Sequence, residues 1–182
     1  MRAPLDQDEH SLYLDMSTKG SRLTEVPGEL RTPERCLAAV SRWGGALCYV
    51  PEDLRSPEIC LAAVSNYYAA LRYVPLKLRT PEICSLAVKK SEWALQHVPV
   101  ELRTFEMSLS VVHRNPWVMP SIPNKHRTPE FFLALVEEHG RFLQYVPAEF
   151  RTPEVCLAAI KQEPRAAEFS PYSVLELLSF SV

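Results

Sequence analysis

The residues best suited to chemistry recur at a fixed spacing along the chain. The tetrad Arg-Thr/Ser-Pro-Glu begins every 24 residues, with Phe in place of Pro in the fourth copy. Its arginines are Arg31, Arg55, Arg79, Arg103, Arg127 and Arg151, and its glutamates are Glu34, Glu58, Glu82, Glu106, Glu130 and Glu154. Stacked guanidinium groups are able to bind phosphates or acidic peptides. Because a Glu follows each Arg by three residues, we favour a structural ladder whose charges pair within or between repeats and complete helix starts.

Cysteine and histidine residues form no metal-binding or catalytic pattern. Four of the five cysteines occupy one position of the repeat, where other repeats have Ser108 and Phe132, so this position requires a buried side chain rather than a ligand. These cysteines are Cys36, Cys60, Cys84 and Cys156. The histidines share no ligand spacing, and no P-loop, nucleophile elbow or dinucleotide fingerprint is present. The sequence therefore predicts no catalytic residue, no metal and no cofactor.

One segment, residues 113–126, breaks the regular pattern. Pro116 and Pro120 fall within the second helix of the fourth repeat, so we expect that helix to be shortened or lost. One interpretation is a protruding loop that binds a partner; the other is a repeat that has lost its regularity while Trp117 still fills the core. The candidate binding residues of the loop are Trp117 and Met119 as apolar anchors and His113, Arg114, Lys125 and His126 as polar contacts.

A second candidate surface follows the positions that vary between repeats. The residue pair at the end of each first helix changes in charge along the chain, which indicates an exposed edge. Lys89 and Lys90 occupy this edge and, together with Arg114 and Lys125, are candidates for a basic stripe. An ordinary solvated face is the simpler explanation of the same charges.

The elements that position these residues are short helices. In the first repeat, Thr32 is suited to cap a helix and Pro33 to occupy its first position. The apolar residues that follow have the spacing of one buried helix face, and a second short helix ends before Pro51. Because helices of two to three turns are marginal alone, each repeat must stack on its neighbours. The predicted fold is an all-α solenoid of six 24-residue helical repeats over residues 27–170, with an N-terminal cap (1–26) and a C-terminal capping segment (171–182).

The repeated unit, Arg-Thr-Pro-Glu-Ile-Cys-Leu-Ala-Ala-Val followed by Gly-x-Ala-Leu-x-Tyr-Val-Pro, resembles the short helical repeats of domain of unknown function 4116. The resemblance covers residues 27–170, and six copies share one register. It implies no activity, because none is assigned to the family. The resemblance also implies a bacterial effector as one kind of protein to expect, since family members include proteins of intracellular bacteria that look like secreted effectors.

Composition limits the functions to consider. The formal net charge is −2, so neither nucleic acid nor a membrane is expected as a partner. We expect a cytoplasmic protein, with export to a host cell as a further expectation from the resemblance. The favoured function is a protein-binding scaffold, with a homodimer through the apolar C-terminal tail as an added contact. The alternatives are a hydrolase or transferase with a site near His113 and Trp117, and a structural repeat segment of a longer chain.

Overall fold

The computed structural model describes residues 27–28 and 31–180, so the predicted N-terminal cap lies outside the described residues. Within these residues the chain contains α-helices and 3₁₀ helices and no β-strand, which confirms the all-α repeat fold. The residues form two compact units, one ending at Leu102 and one beginning at Arg103. We number the repeats 1 to 6 from Pro27, so that repeat 1 is residues 27–50 and repeat 6 is residues 147–170.

Each repeat contains one ten-residue α-helix. These are α1 (Pro33–Arg42), α2 (Pro57–Asn66), α3 (Pro81–Lys90), α4 (Phe105–Arg114), α5 (Pro129–Glu138) and α6 (Pro153–Gln162). The Ser or Thr before each helix accepts a hydrogen bond from the backbone N–H three residues later. Proline occupies the first position of five of them, where its missing N–H costs nothing, and Phe105 takes that place in α4 without shortening it. The predicted helix start is thus confirmed.

A six-residue 3₁₀ helix follows each α-helix, where the sequence predicts a second short helix. These 3₁₀ helices are Gly44–Tyr49, Tyr68–Tyr73, Glu92–His97, Pro116–Ser121, Gly140–Tyr145 and Pro164–Phe169. Val50 follows the first of them with φ −74° and ψ 126°, the extended conformation that Pro51 favours in the residue before it. Three-residue 3₁₀ turns then lead into the next repeat: Glu52–Leu54, Leu76–Leu78, Val100–Leu102, Asn124–His126 and Ala148–Phe150.

The predicted loss of the second helix in repeat 4 is wrong. Pro116–Ser121 is as long as its counterparts, so no loop protrudes. Pro116 stands at the first position, where no N–H is needed, and the Asn115 side chain accepts a hydrogen bond from the Trp117 N–H at 3.0 Å. Pro120 removes one donor inside the helix, but its carbonyl oxygen accepts a hydrogen bond from Arg127 at 3.1 Å.

Four ladder arginines, Arg55, Arg79, Arg127 and Arg151, donate from Nε to the carbonyl of the last residue of the preceding repeat and so join consecutive repeats. Arg79 donates from Nε to the Val74 carbonyl at 2.9 Å, from Nη1 to the His97 carbonyl at 2.7 Å and from Nη2 to the Arg72 carbonyl at 3.1 Å. Val74 ends repeat 2, whereas His97 ends the 3₁₀ helix of repeat 3. The same Nη1 contact, to the residue 18 positions later, is made by Arg31, Arg55, Arg103 and Arg151.

Two of the ladder glutamates form hydrogen bonds at the start of their helices. Glu82 accepts a hydrogen bond from the Thr80 hydroxyl and one from its own backbone N–H, and both hold the pKa of its carboxyl below the usual value. Glu130 and Thr128 repeat this arrangement in α5, with the same direction of the pKa shift.

Small and β-branched side chains fill the core. In repeat 2 the buried residues are Ile59, Cys60, Ala63, Val64, Ala70, Leu71 and Val74. The four ladder cysteines are 0% exposed, which confirms that their position requires a buried side chain. Burial raises the pKa of the Cys60 thiol to about 11, so this thiol is protonated at neutral pH and is a poor nucleophile.

A short helix, α7 (Val174–Ser179), follows repeat 6. Ser173 and Glu176 form a reciprocal cap, in which Ser173 Oγ accepts from the Glu176 N–H at 3.2 Å and Glu176 Oε2 accepts from the Ser173 N–H at 2.7 Å. Leu177 is buried, whereas Leu175 is 81% exposed. Across the described part of the chain, no helix has the length and apolarity needed to cross a membrane.

Candidate functional site

An aromatic cluster lies between repeats 4 and 5 in the second unit. It consists of His113, Trp117, His139, Phe142 and Tyr145. The Tyr145 ring centroid lies 6.3 Å from that of Trp117 and 6.2 Å from that of Phe142. The Phe142 centroid is in turn 5.7 Å from that of His113 and 5.8 Å from that of His139. These distances are typical of interacting rings, so the five side chains form one continuous cluster.

Trp117 is the most exposed of the tryptophan, tyrosine and phenylalanine side chains in the aromatic cluster. It is 71% exposed, whereas Phe142 at the base of the cluster is 3% exposed. The interpretation in which Trp117 fills the core is therefore wrong. Its ring meets Tyr145 edge-on, at an interplanar angle of 65°, and leaves most of the indole in solvent. Covering an indole of this size stabilises a complex by about 2 kcal/mol or more.

The position in the repeat explains why Trp117 is exposed. Trp93 occupies the same position in repeat 3 and is 48% exposed. In repeats 5 and 6 that position holds Arg141 and Arg165, both exposed. A side chain at the second residue of the 3₁₀ helix thus points into solvent in these repeats.

His113 closes the other end of the aromatic cluster. Its Nδ1 lies 2.9 Å from Glu138 Oε2, and the side chains are 14% and 59% exposed. Its Nε2 is buried and has no hydrogen-bond partner in the described part of the chain. Glu138 thus pairs with one ring nitrogen of His113, and burying the other without a hydrogen bond costs roughly 1 to 3 kcal/mol.

His126 lies inside the protein rather than on a binding surface. It is 9% exposed, and its Nδ1 is 3.0 Å from the Oγ of Ser108, which is fully buried. Ser108 Oγ also lies 2.8 Å from the Thr104 carbonyl. Because a carbonyl can only accept, Ser108 donates its proton to Thr104, and His126 Nδ1–H donates to Ser108. Ser108 is fully buried, so its hydroxyl is out of reach of a substrate in solvent.

The other candidate residues lie where solvent reaches them, in separate units. Arg114 and Lys125 are exposed in the second unit, and Met119 there is half-buried. Lys89 and Lys90 are exposed at the end of α3 in the first unit. The basic stripe stays a prediction. No group of three or more His, Cys, Asp or Glu side chains suited to a metal ion is found among the described residues.

The sequence interpretation missed Phe142, Tyr145 and the pairing of Glu138 with His113. Their signal was the repeat itself: residues 139–145 lie one period after residues 115–121, and stacked repeats bring such segments together.

These features define an all-α helical-repeat protein. Residues 33–79 and 56–103 match the model of a family described as Domain of unknown function (DUF4116). The two matches overlap and are offset by about one repeat, as expected for tandem copies, and they confirm the resemblance for this part of the chain. No curated protein and no solved structure matches the chain.

Proposed function

We propose that the protein is a binding scaffold that recognises another protein through the aromatic cluster of repeats 4 and 5. The observation that carries this proposal is Trp117, an indole 71% exposed on a packed aromatic base. Tryptophan, tyrosine and arginine are the residues that most often dominate the energy of protein interfaces. Trp117, Tyr145 and the exposed Arg114 supply all three within repeats 4 and 5.

The scaffold favours binding because it orders these side chains in advance. Trp117 is held by its backbone bond to Asn115 and by Tyr145, so little conformational entropy is lost when a partner covers it. The effector-like relatives implied by the resemblance add the proposal that the partner is a host-cell protein.

The test compares proteins captured from bacterial and host-cell lysates by the wild-type chain, a Trp117→Ser variant and a Leu76→Ser control. Leu76 is matched to Trp117 because it is also 71% exposed, but it lies in the first unit. We expect a protein that the wild type and the control capture and Trp117→Ser does not. With that protein purified, Trp117→Ser should bind at least about 30-fold more weakly, the loss typical of a dominant interface residue. Equal capture by all three chains would rule the aromatic cluster out.

A further inference from the structure

A groove runs between α5 and α6 in the second unit, apart from the aromatic cluster. It consists of two adjoining cavities of about 460 and 630 Å³, both lined by Glu154, Leu157 and Lys161. Leu133, Glu137 and Ala158 line the first, and Phe180 lines the second. Volumes of this size accommodate several side chains of a ligand.

The floor of the groove is apolar. Leu133 and Leu157 occupy the same position in repeats 5 and 6, and both are only half-buried. Ala158 beside them is half-buried as well, and Phe180 at one end is 63% exposed. Apolar side chains that line a concavity and stay accessible are typical of ligand-binding grooves.

The rim of the groove is acidic. Glu137 stands at the end of α5 and Glu154 in the first turn of α6, against a single basic side chain, Lys161, among the described residues that line the groove. The carbonyl end of α5 adds negative potential beside Glu137. Four of the other five repeat helices have a basic residue in the last turn, such as Arg42 in α1 and Lys90 in α3, whereas α2 has neither a basic nor an acidic residue there. An acidic end opposes the helix dipole, so Glu137 at this place is better suited to a cationic partner than to the stability of α5.

We propose that this groove binds an amphipathic helix of a partner protein. Leucine-type side chains of the helix cover Leu133 and Leu157, and its lysine or arginine side chains face Glu137 and Glu154. The groove follows α6 from Glu154 to Gln162, a length of about 12 Å, which matches about two turns of a bound helix. Helices bind such grooves through apolar anchors spaced three, four and seven residues apart.

The variable helix ends give this groove its selectivity. Glu137 and Lys161 belong to the exposed positions whose charge changes from repeat to repeat. The matching residues in the first unit are Ser41, Ser65 and Lys89, so a groove at those repeats would attract a different charge. Repulsion at the rim excludes acidic helices as effectively as attraction selects basic ones.

Three synthetic peptides test the proposal on the full chain. The first is an amphipathic helix of Leu and Lys, and the second has Glu in place of Lys. The third is a scrambled Leu and Lys sequence with no apolar face. Each peptide has 14 residues, which form about four helical turns. Fluorescence anisotropy measures the Kd of each. We expect the amphipathic Leu and Lys helix to bind at least about tenfold more tightly than the other two. Equal binding of all three peptides, or of both Leu and Lys peptides, would overturn the proposal.

Matched variants locate the binding. We expect the Glu137→Lys, Glu154→Gln double variant to lose at least about tenfold in affinity for the amphipathic Leu and Lys helix. A Glu149→Lys, Glu168→Gln double variant carries the same charge change at exposed positions that do not line the groove, and it should bind as the wild type does. An equal loss of peptide affinity in both double variants would show that general Coulomb attraction, and not the groove, holds the peptide. Trp117→Ser should bind the peptide as the wild type does, because Trp117 does not line the groove. The peptide experiment therefore tests the groove separately from the lysate capture, which tests the aromatic cluster.

Discussion

Ser108 and His126 contact each other inside the protein, at two positions where most other repeats have Cys and Leu. One period earlier in the chain these positions hold Cys84 and Leu102, and one period later they hold Phe132 and Phe150. The ring centroids of Phe132 and Phe150 lie 4.8 Å apart, whereas Ser108 and His126 form the 3.0 Å hydrogen bond. His126 opposite an apolar residue would lose the Ser108 partner of its Nδ1, which costs roughly 1 to 3 kcal/mol. Ser108 opposite an apolar residue would keep its hydrogen bond to the Thr104 carbonyl, so the pairing matters more for His126.

His126 makes the stability of the second unit depend on pH. Burial, followed by the charge of Lys125, lowers the pKa of its imidazole below the ordinary value, while Glu106 opposes this shift. Since the unfolded chain then binds the proton more readily, stability is complete above the unfolded pKa of about 6.5 and falls as the pH drops below it. A Ser108→Cys, His126→Leu double variant, which restores the usual pair, should lose less stability between neutral and acidic pH.

Urea unfolding of the wild type and this double variant, at several pH values from about 7.5 to 5, measures the difference. His97, whose pKa burial also lowers, is present in both proteins and cancels in the comparison. Parallel loss of stability in the two proteins would show that His126 is not the group responsible.

At the scale of the helices, the sequence predicted what recurs and missed what contacts across repeats. Thr32, Pro33 and Cys36 were placed correctly because each copy of the repeat repeats their signal. Pro116 and Pro120 were misjudged because proline breaks long α-helices, whereas a six-residue 3₁₀ helix needs few internal N–H donors. Spatial pairs such as Ser108 and His126 leave no local pattern, although their separation of 18 residues equals that of the arginine contacts.

The arginine contacts hold the repeats together, and Arg79 provides a direct test. It donates to three carbonyls on two consecutive repeats, and lysine cannot reach all three with one ammonium group. Arg79→Lys should lower the free energy of unfolding by about 2 to 4 kcal/mol, because three charge-assisted hydrogen bonds to carbonyls, two of them part-buried, are weakened or lost.

Urea unfolding followed by circular dichroism measures this effect. Arg72→Lys is the control, since the Arg72 guanidinium is exposed and stacks on the Tyr73 ring at 4.9 Å. The control should change stability by less than about 1 kcal/mol. If Arg79→Lys were as mild as the control, the carbonyl contacts would not be what joins the repeats.

In both units of the described chain, the same kind of contact joins neighbouring repeats. Asn66 accepts from the Gly44 N–H at 2.7 Å and donates to the Ser41 carbonyl at 3.1 Å. Gln162 repeats this bridge in the second unit, accepting from the Gly140 N–H at 2.6 Å. Both glycines are required, because a Cβ at either would collide with a carbonyl oxygen of the next α-helix, that of Ala63 or Ala159. Stability in such a chain is a sum of repeats and of contacts between neighbours.

This locality predicts which substitutions add and which do not. Gly44→Ala and Gly140→Ala should each destabilise by about 1 to 3 kcal/mol, because the colliding atoms belong to backbone that must shift. The two lie in different units without a shared partner, so their effects should add within about 0.5 kcal/mol.

Gly44 and Asn66 are joined by one hydrogen bond, so both Gly44→Ala and Asn66→Ala disturb it. In the Gly44→Ala background, Asn66→Ala should therefore cost about 1 kcal/mol less than it does in the wild type. Urea unfolding of the singles and both doubles measures the two couplings; strong coupling between positions 44 and 140, or none between 44 and 66, would contradict nearest-neighbour stacking.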